Sequence, residues 1–206
     1  MPPLEVPTLE GRIVRLEPIS IAHVEELAIA ASLDRSTFRY LRVPNGRASM
    51  EAEIESLLEE AESGQVISFA QVRVADGTAV GMTRYLAIEH RPGAPLPYSL
   101  EIGGTWIGAE AQRTGLNVEA KLLLFAHAFD VLSVRRVSLK GDARNERSRS
   151  AITALGATFE GVLRSWQPSH VIGEEDALRD TMYFSVLREE WPAVRNRLQM
   201  RLDRYR

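Results

Sequence analysis

The 206-residue chain contains no cysteine. That excludes disulfides, thiolate metal ligands and a cysteine nucleophile, so any acyl transfer by this chain proceeds without a cysteine-bound intermediate. Lysine is nearly absent as well: Lys121 and Lys140 are the only two among 25 basic residues. This reads as a nucleotide-composition bias before it reads as a functional choice. Neither sign of charge dominates. A net charge of −3 gives no reason to expect general affinity for nucleic acid or for a membrane surface. No apolar stretch approaches the ~20 residues of a membrane-spanning helix, and residues 1–10 lack the basic start and apolar run of a secretion signal. A soluble, cytoplasmic location is the expectation. The four histidines, His23, His90, His127 and His170, show no metal-ligand spacing, so no metal is expected. Internal repeats and low-complexity segments are missing too.

What is present is enough apolar material for a sizeable core, 45% of the residues, in a length that suits one domain. The chain is organised around Leu100–Lys121. Ile102, Trp106 and Ile107 are strand formers. The pair Gly103-Gly104 interrupts them, as a bulge or a close backbone approach would. The chain turns polar over Ala109–Thr114 and passes Gly115. From Asn117, Leu122, Leu123, Phe125, Ala126 and Phe129 recur at helical spacing. The order is strand, short glycine-containing loop, helix. The first N–H groups of a helix have no internal partners and sit at the positive end of its dipole, so such a loop can seat an anion, most naturally a phosphate or pyrophosphate. Gln112 and Arg113 add side-chain donors to the rim. An ordinary loop with a glycine at the helix start is the competing reading.

Around this stretch, residues 11–17 read as a strand and Ile21–Ser32 as a helix with Ser20 as N-cap. A second helix covers 49–63, with Ile54, Leu57, Leu58 and Ala61 on its apolar face. Strands at 65–74 and 78–89 meet at the hairpin signal Asp76-Gly77. After the central helix come a strand at 135–140, a helix at 145–155 stopped by Gly156, a strand at 157–164, a polar loop at 165–179, a strand at 180–187 and a helix at 189–202. The order β-α-α-β-β-β-α-β-α-β-β-α implies an α/β fold. A mixed central sheet of about seven strands would carry helices on both faces.

Gln112-Arg113-Thr114-Gly115-Leu116-Asn117 resembles the pyrophosphate loop of the GNAT acetyltransferases, Gln/Arg-x-x-Gly-x-Gly/Ala, with Asn117 departing from the pattern at the last position. Asn145-Glu146-Arg147-Ser148 followed by Leu155-Gly156-Ala157, and Phe159-Glu160-Gly161-Val162-Leu163-Arg164, are similar to segments of that superfamily's ribosomal-protein (RimJ/RimL-like) branch. The resemblance covers roughly residues 8–190, taken as a single domain, with 191–206 as a helical extension. It implies acetyl-CoA as co-substrate and transfer of its acetyl group to an amine. It also implies a splayed cleft between the strand before the loop and the strand after the central helix, with the pantetheine arm lying in the gap. The acceptor would be a protein N-terminal α-amine, or alternatively a small molecule such as a polyamine, an amino acid or an antibiotic. A non-catalytic acetyl-CoA-binding module is the rival from another class.

Acylation of an amine by a thioester needs a proton acceptor for the amine, a donor for the carbonyl oxygen and a proton for the departing thiolate. Glu101, in the strand before the loop, matches the Glu of that branch's E-I-G stretch and is the candidate acceptor, against a surface-facing strand carboxylate. Glu89 and His90 are runners-up. Ser148 is the candidate for hydrogen-bonding or protonating the thiolate, against an uninvolved first-turn residue. Asn145 caps its helix and, by resemblance, contacts the pantetheine. Trp106, Ile107, Gln112, Arg113, Thr114, Gly115, Leu116, Asn117, Asn145 and Ser148 are the candidate cofactor-binding residues. Arg147 and Arg149 are candidates for the adenosine phosphate. The irregular 34–46 segment and the 165–179 loop, with Trp166 and His170, should frame the acceptor mouth. Trp191, Val194 and Leu198 form an apolar helix face that either packs on its own chain or makes a homodimer.

Overall fold

The computed structural model describes residues 6–205. The strands are β1 (Leu9–Glu10), β2 (Val14–Pro18), β3 (Ile67–Arg73), β4 (Ala79–His90), β5 (Pro97–Ile107), β6 (Arg136–Asp142), β7 (Thr158–Pro168) and β8 (Leu178–Leu187). The helices are α1 (Val24–Ser32), α2 (Arg47–Glu62), α3 (Leu116–Ala126), α4 (Glu146–Leu155) and α5 (Trp191–Leu202). One eight-stranded sheet runs β1-β2-β3-β4-β5-β6-β8-β7. Every neighbouring pair is antiparallel except β5 and β6, which α3 joins by a crossover. The strand beyond the expected seven is β1, two residues held against β2.

The parallel pair decides the architecture of the cleft. β5 and β6 pair over only three positions, Ser99↔Arg136 to Glu101↔Ser138. Past Glu101 the strands have no common ladder, although β5 continues to Ile107 and β6 to Asp142. The glycine pair lies where they part. On the other side of β5, Met82 faces Trp106 but Arg84 faces Gly103, so β5 carries one extra residue there. This is a bulge, and Gly104 takes a left-handed φ of 56° within it.

Two hydrophobic clusters cover the two faces. On one face, Leu100, Ile102, Val137 and Phe184 pack under Leu124, Phe125 and Phe129 of the crossover and under Trp191, Val194 and Leu198 of α5. On the other, Ala70, Met82 and Trp106 pack under Leu27 and Ala31 of α1 and Met50, Ile54 and Leu57 of α2. The apolar face of α5 is therefore buried within its own chain. Trp191 stacks on Phe129 at 5.6 Å and donates from Nε1 to Asp130 Oδ1 at 3.0 Å, so the face gives no argument for a homodimer. After Ala126 the helical path widens into a π turn at His127–Val131. The strands β7 and β8 run further than their apolar spacing suggests, and the polar loop between them shrinks to 169–177. No helix among the described residues is long and apolar enough to cross a membrane.

Candidate active site

A cavity of about 620 Å³ occupies the gap where β5 and β6 diverge. It reaches from Glu101 on one side of the bulge to Gln112, Arg113 and Asn117 at the start of α3, and it takes in Asn145 and Ser148 of α4. Trp106 and Ile107 line it from β5.

Glu101 is not a surface carboxylate: it is 3% exposed. Its Oε2 lies 3.0 Å from Lys140 Nζ of β6. Burial pushes its pKa up, and the Lys140 ammonium holds it back in part. Gly103 makes room for it, because a Cβ there would fall 2.6 Å from Glu101 Oε1. The double glycine thus serves two ends: Gly104 bends the strand and Gly103 leaves space for the carboxylate. The alternatives Glu89 and His90 border no part of the cavity; Glu89 instead accepts from the Tyr98 hydroxyl at 2.5 Å.

The loop has the form an anion seat requires, with one correction. The helix begins at Leu116 with Gly115 as N-cap at φ 86°, not at Asn117. A Cβ at Gly115 would meet the Tyr205 ring at 2.8 Å and Ile13 Cδ1 at 3.1 Å, so the glycine is required twice over. The side chains around it are mostly engaged. Gln112 Nε2 donates to Ile107 O at 2.9 Å and to Thr37 Oγ1 at 3.1 Å, and Gln112 Oε1 accepts from Arg147 at 2.6 Å. Gln112 is therefore a strut within the loop rather than a free donor on its rim. Thr114 Oγ1 donates to Ala111 O, and Leu116 is a core residue at 1% exposure. What remains for an anion is backbone N–H groups of the first helical turn, with the exposed Arg113 beside them. Asn117 faces the cavity, and its Oδ1 is buried without a hydrogen-bond partner.

At α4, Asn145 Oδ1 accepts the Ser148 N–H at 3.0 Å, the N-cap bond expected of it. A Cβ on Gly141 of β6 would fall 3.1 Å from Ser148 Oγ, so the glycine lets α4 approach the strand. The Ser148 hydroxyl borders the cavity and makes no hydrogen bond among the described residues. Arg149 lies over the Phe159 ring and is not part of the site. Trp166 is also outside it, at 55% exposure. The cavity is also lined by Thr37, Phe38, Tyr40, Leu41 and Arg42 and by Gln167, His170 and Arg179. Both segments expected to frame an acceptor contribute.

Lys121 was not anticipated at the site. It lies one turn after Asn117 on the same face of α3, is 5% exposed, and donates to Thr105 Oγ1 at 2.6 Å and Thr83 Oγ1 at 3.2 Å. A lone lysine four residues from a polar helix start was the available sign. Burial lowers its pKa to about 7. In the unfolded chain it would hold its proton to about pH 10.4. Between those values the unfolded state binds more protons, so this group's effect on stability becomes more favourable as pH rises. The stability difference between wild type and Lys121→Met should therefore move toward wild type by up to about 1.4 kcal/mol per pH unit above about pH 7. Urea midpoints across that range measure it; a flat difference would mean that Lys121 stays protonated in the fold.

These features match known proteins. A family model described as an acetyltransferase (GNAT) domain matches residues 14–158. The chain belongs to the GNAT acetyltransferase family. A GCN5-related N-acetyltransferase from Brucella melitensis superimposes with a TM-score of 0.82 at 32% identity, over 97% of this chain and 86% of the other. A structure from T. thermophilus, provisionally described as an acetyltransferase, gives 0.79 at 37% identity over 97% and 98%. Among curated proteins, YdaF of Bacillus subtilis (strain 168), provisionally named a ribosomal N-acetyltransferase, is 32% identical over 88 residues. That match spans 43% of this chain and less than half of YdaF, 45%. As a member of the GNAT family, the chain is an acyltransferase with an eight-stranded mixed sheet.

Proposed function

We propose that this protein transfers the acetyl group of acetyl-CoA to a primary amine by direct attack, with a protein N-terminal α-amine as the acceptor. The observation that carries the reading is the cavity that joins a buried carboxylate, a parted pair of strands and a helix N-terminus. The pyrophosphate of the cofactor would lie on the N–H groups that follow Gly115, beside Arg113. The pantetheine would follow the β6-facing edge of β5 past Trp106 and Ile107, where β6 no longer pairs with it. Asn145 and Ser148 face that path from α4. Glu101 would take the proton of the attacking amine, and its raised pKa suits an acceptor that works near neutral pH. The Ser148 hydroxyl, free of other partners, would meet the thiolate as it departs. The reaction conserves atoms simply: the amine nitrogen forms a bond to the acetyl carbon, the carbon–sulfur bond breaks, and one proton passes from nitrogen through Glu101 to sulfur or solvent.

The resemblance to the RimJ/RimL-like branch and the match to YdaF favour the α-amine over polyamines and antibiotics. The test is incubation with acetyl-CoA and short peptides that differ only in a free or blocked N-terminus. Acetylated peptide and free CoA thiol should appear in equal amounts with the free amine and not with the blocked one. Acetyl-CoA binding without product from any amine would favour a non-catalytic binding module.

A further inference from the structure

Of the charged groups that line the cavity, Glu60, Arg113 and Arg147 are exposed, Lys121 donates to two threonine hydroxyls, and all the others but Arg179 are in ion pairs. Glu53 meets Arg84 at 2.8 Å and Arg42 at 3.4 Å, Glu101 meets Lys140 at 3.0 Å, and Asp142 meets Arg144 at 2.8 Å. Arg179 differs. It is only 9% exposed, and it makes no ion pair among the described residues. Its Nη2 donates to the neutral Gln167 Oε1 at 3.2 Å, and its Nε is buried with no acceptor at all. A guanidinium does not discard its proton at neutral pH, so this is a fixed, buried charge with an unused donor on a cavity wall. Such groups are rare unless something completes them.

The charges around Arg179 limit what that can be. The negative charges of Asp142 and Glu101 act on it, as does the positive charge of Arg144. His170 lines the same wall, and burial together with Arg179 and Arg42 lowers its pKa, which favours its neutral form. A doubly charged phosphate beside Arg179 would face both carboxylates. A carboxylate carries one charge and two oxygens in the planar fork that a guanidinium matches.

We propose that Arg179 receives a carboxylate of the acceptor, so that the preferred substrates are amines that also carry a carboxylate. The inference rests on the acetyl-transfer reading, with Glu101 taking the amine proton while Arg179 holds the anionic end. The carboxylate can come from a free amino acid or from an acidic residue at the start of a peptide. The shared chemistry is the same, and a test can separate the two sources.

The test uses pairs that differ by one group: an amino acid against its carboxamide, and peptides that begin with Asp or Glu against those that begin with Asn or Gln. Each is titrated onto the CoA-loaded protein and assayed for acetyl transfer. The carboxylate partner in one of the pairs should bind, and show a KM, about tenfold or more below the amide partner, the range a charge-assisted bidentate contact supports. The preference should vanish in Arg179→Gln and return in part in Arg179→Lys, with acetyl-CoA affinity unchanged in both variants as the sign of an intact fold. Equal affinity within both pairs, or a preference that survives in Arg179→Gln, overturns the proposal. Failure of transfer with every amine would overturn the enzymatic reading instead, and the binding titrations judge Arg179 without it.

Discussion

Replacing Glu101 with Gln should lower kcat about 10²–10⁴-fold, the usual contribution of a positioned proton acceptor, and leave acetyl-CoA affinity nearly unchanged. Gln keeps the shape that Gly103 leaves room for, so the loss would be chemical rather than steric. The pH profile gives an independent reading. Burial raises the Glu101 pKa, and Lys140 opposes the rise. A base must be ionised to work, so activity should climb with pH through a midpoint above the ordinary carboxylate range. That limb should be absent in Glu101→Gln. Lys140→Met, which removes the opposing ammonium 3.0 Å away, should move the limb to higher pH. Steady-state rates across pH on the three proteins test this. A kcat near wild type in Glu101→Gln would remove Glu101 from the chemistry.

The second large effect is expected at the anion seat. Gly115→Val places a β-branched residue at φ 86° with its Cβ against the Tyr205 ring. Left-handed backbone costs such a residue at least about 1–2 kcal/mol. The loop can relieve that strain only by shifting the N–H groups that follow it. Acetyl-CoA affinity should fall by about 10–100-fold, equivalent to roughly 1.4–2.8 kcal/mol. Because Tyr205 and Ile13 also feel the change, thermal unfolding must be measured beside binding. Unchanged affinity in a folded Gly115→Val protein would mean that the loop does not seat the cofactor.

The elements around the site were legible because their signals are local. Asn145 reads as an N-cap and is one, Gly156 ends α4 in a left-handed conformation, and the Asp76-Gly77 hairpin joins β3 to β4. The bulge at Gly103-Gly104 could be placed from the glycines alone. What could not be read depends on partners distant in sequence. Nothing near Gln112 signals that Arg147, Thr37 and Ile107 use up its amide. Nothing near Glu119 signals that it leaves the solvent face of a helix to accept the Ile13 and Val14 N–H groups. The true start of α3 lies one residue earlier than the pattern suggests because Asn117 is a good cap in isolation, whereas the turn requires the φ that Gly115 supplies. Lys121 and Arg179 carry charge in a sequence full of arginine, and only the fold shows that each is buried without a carboxylate.

The most direct test of acetyl-CoA as co-substrate is isothermal titration of the purified protein with acetyl-CoA, with ATP as control. The cleft between β5 and β6 should bind acetyl-CoA in preference to ATP. Equal binding of ATP, or no binding of acetyl-CoA, would contradict the placement of the cofactor, and the roles given to Glu101 and Ser148 would fall with it.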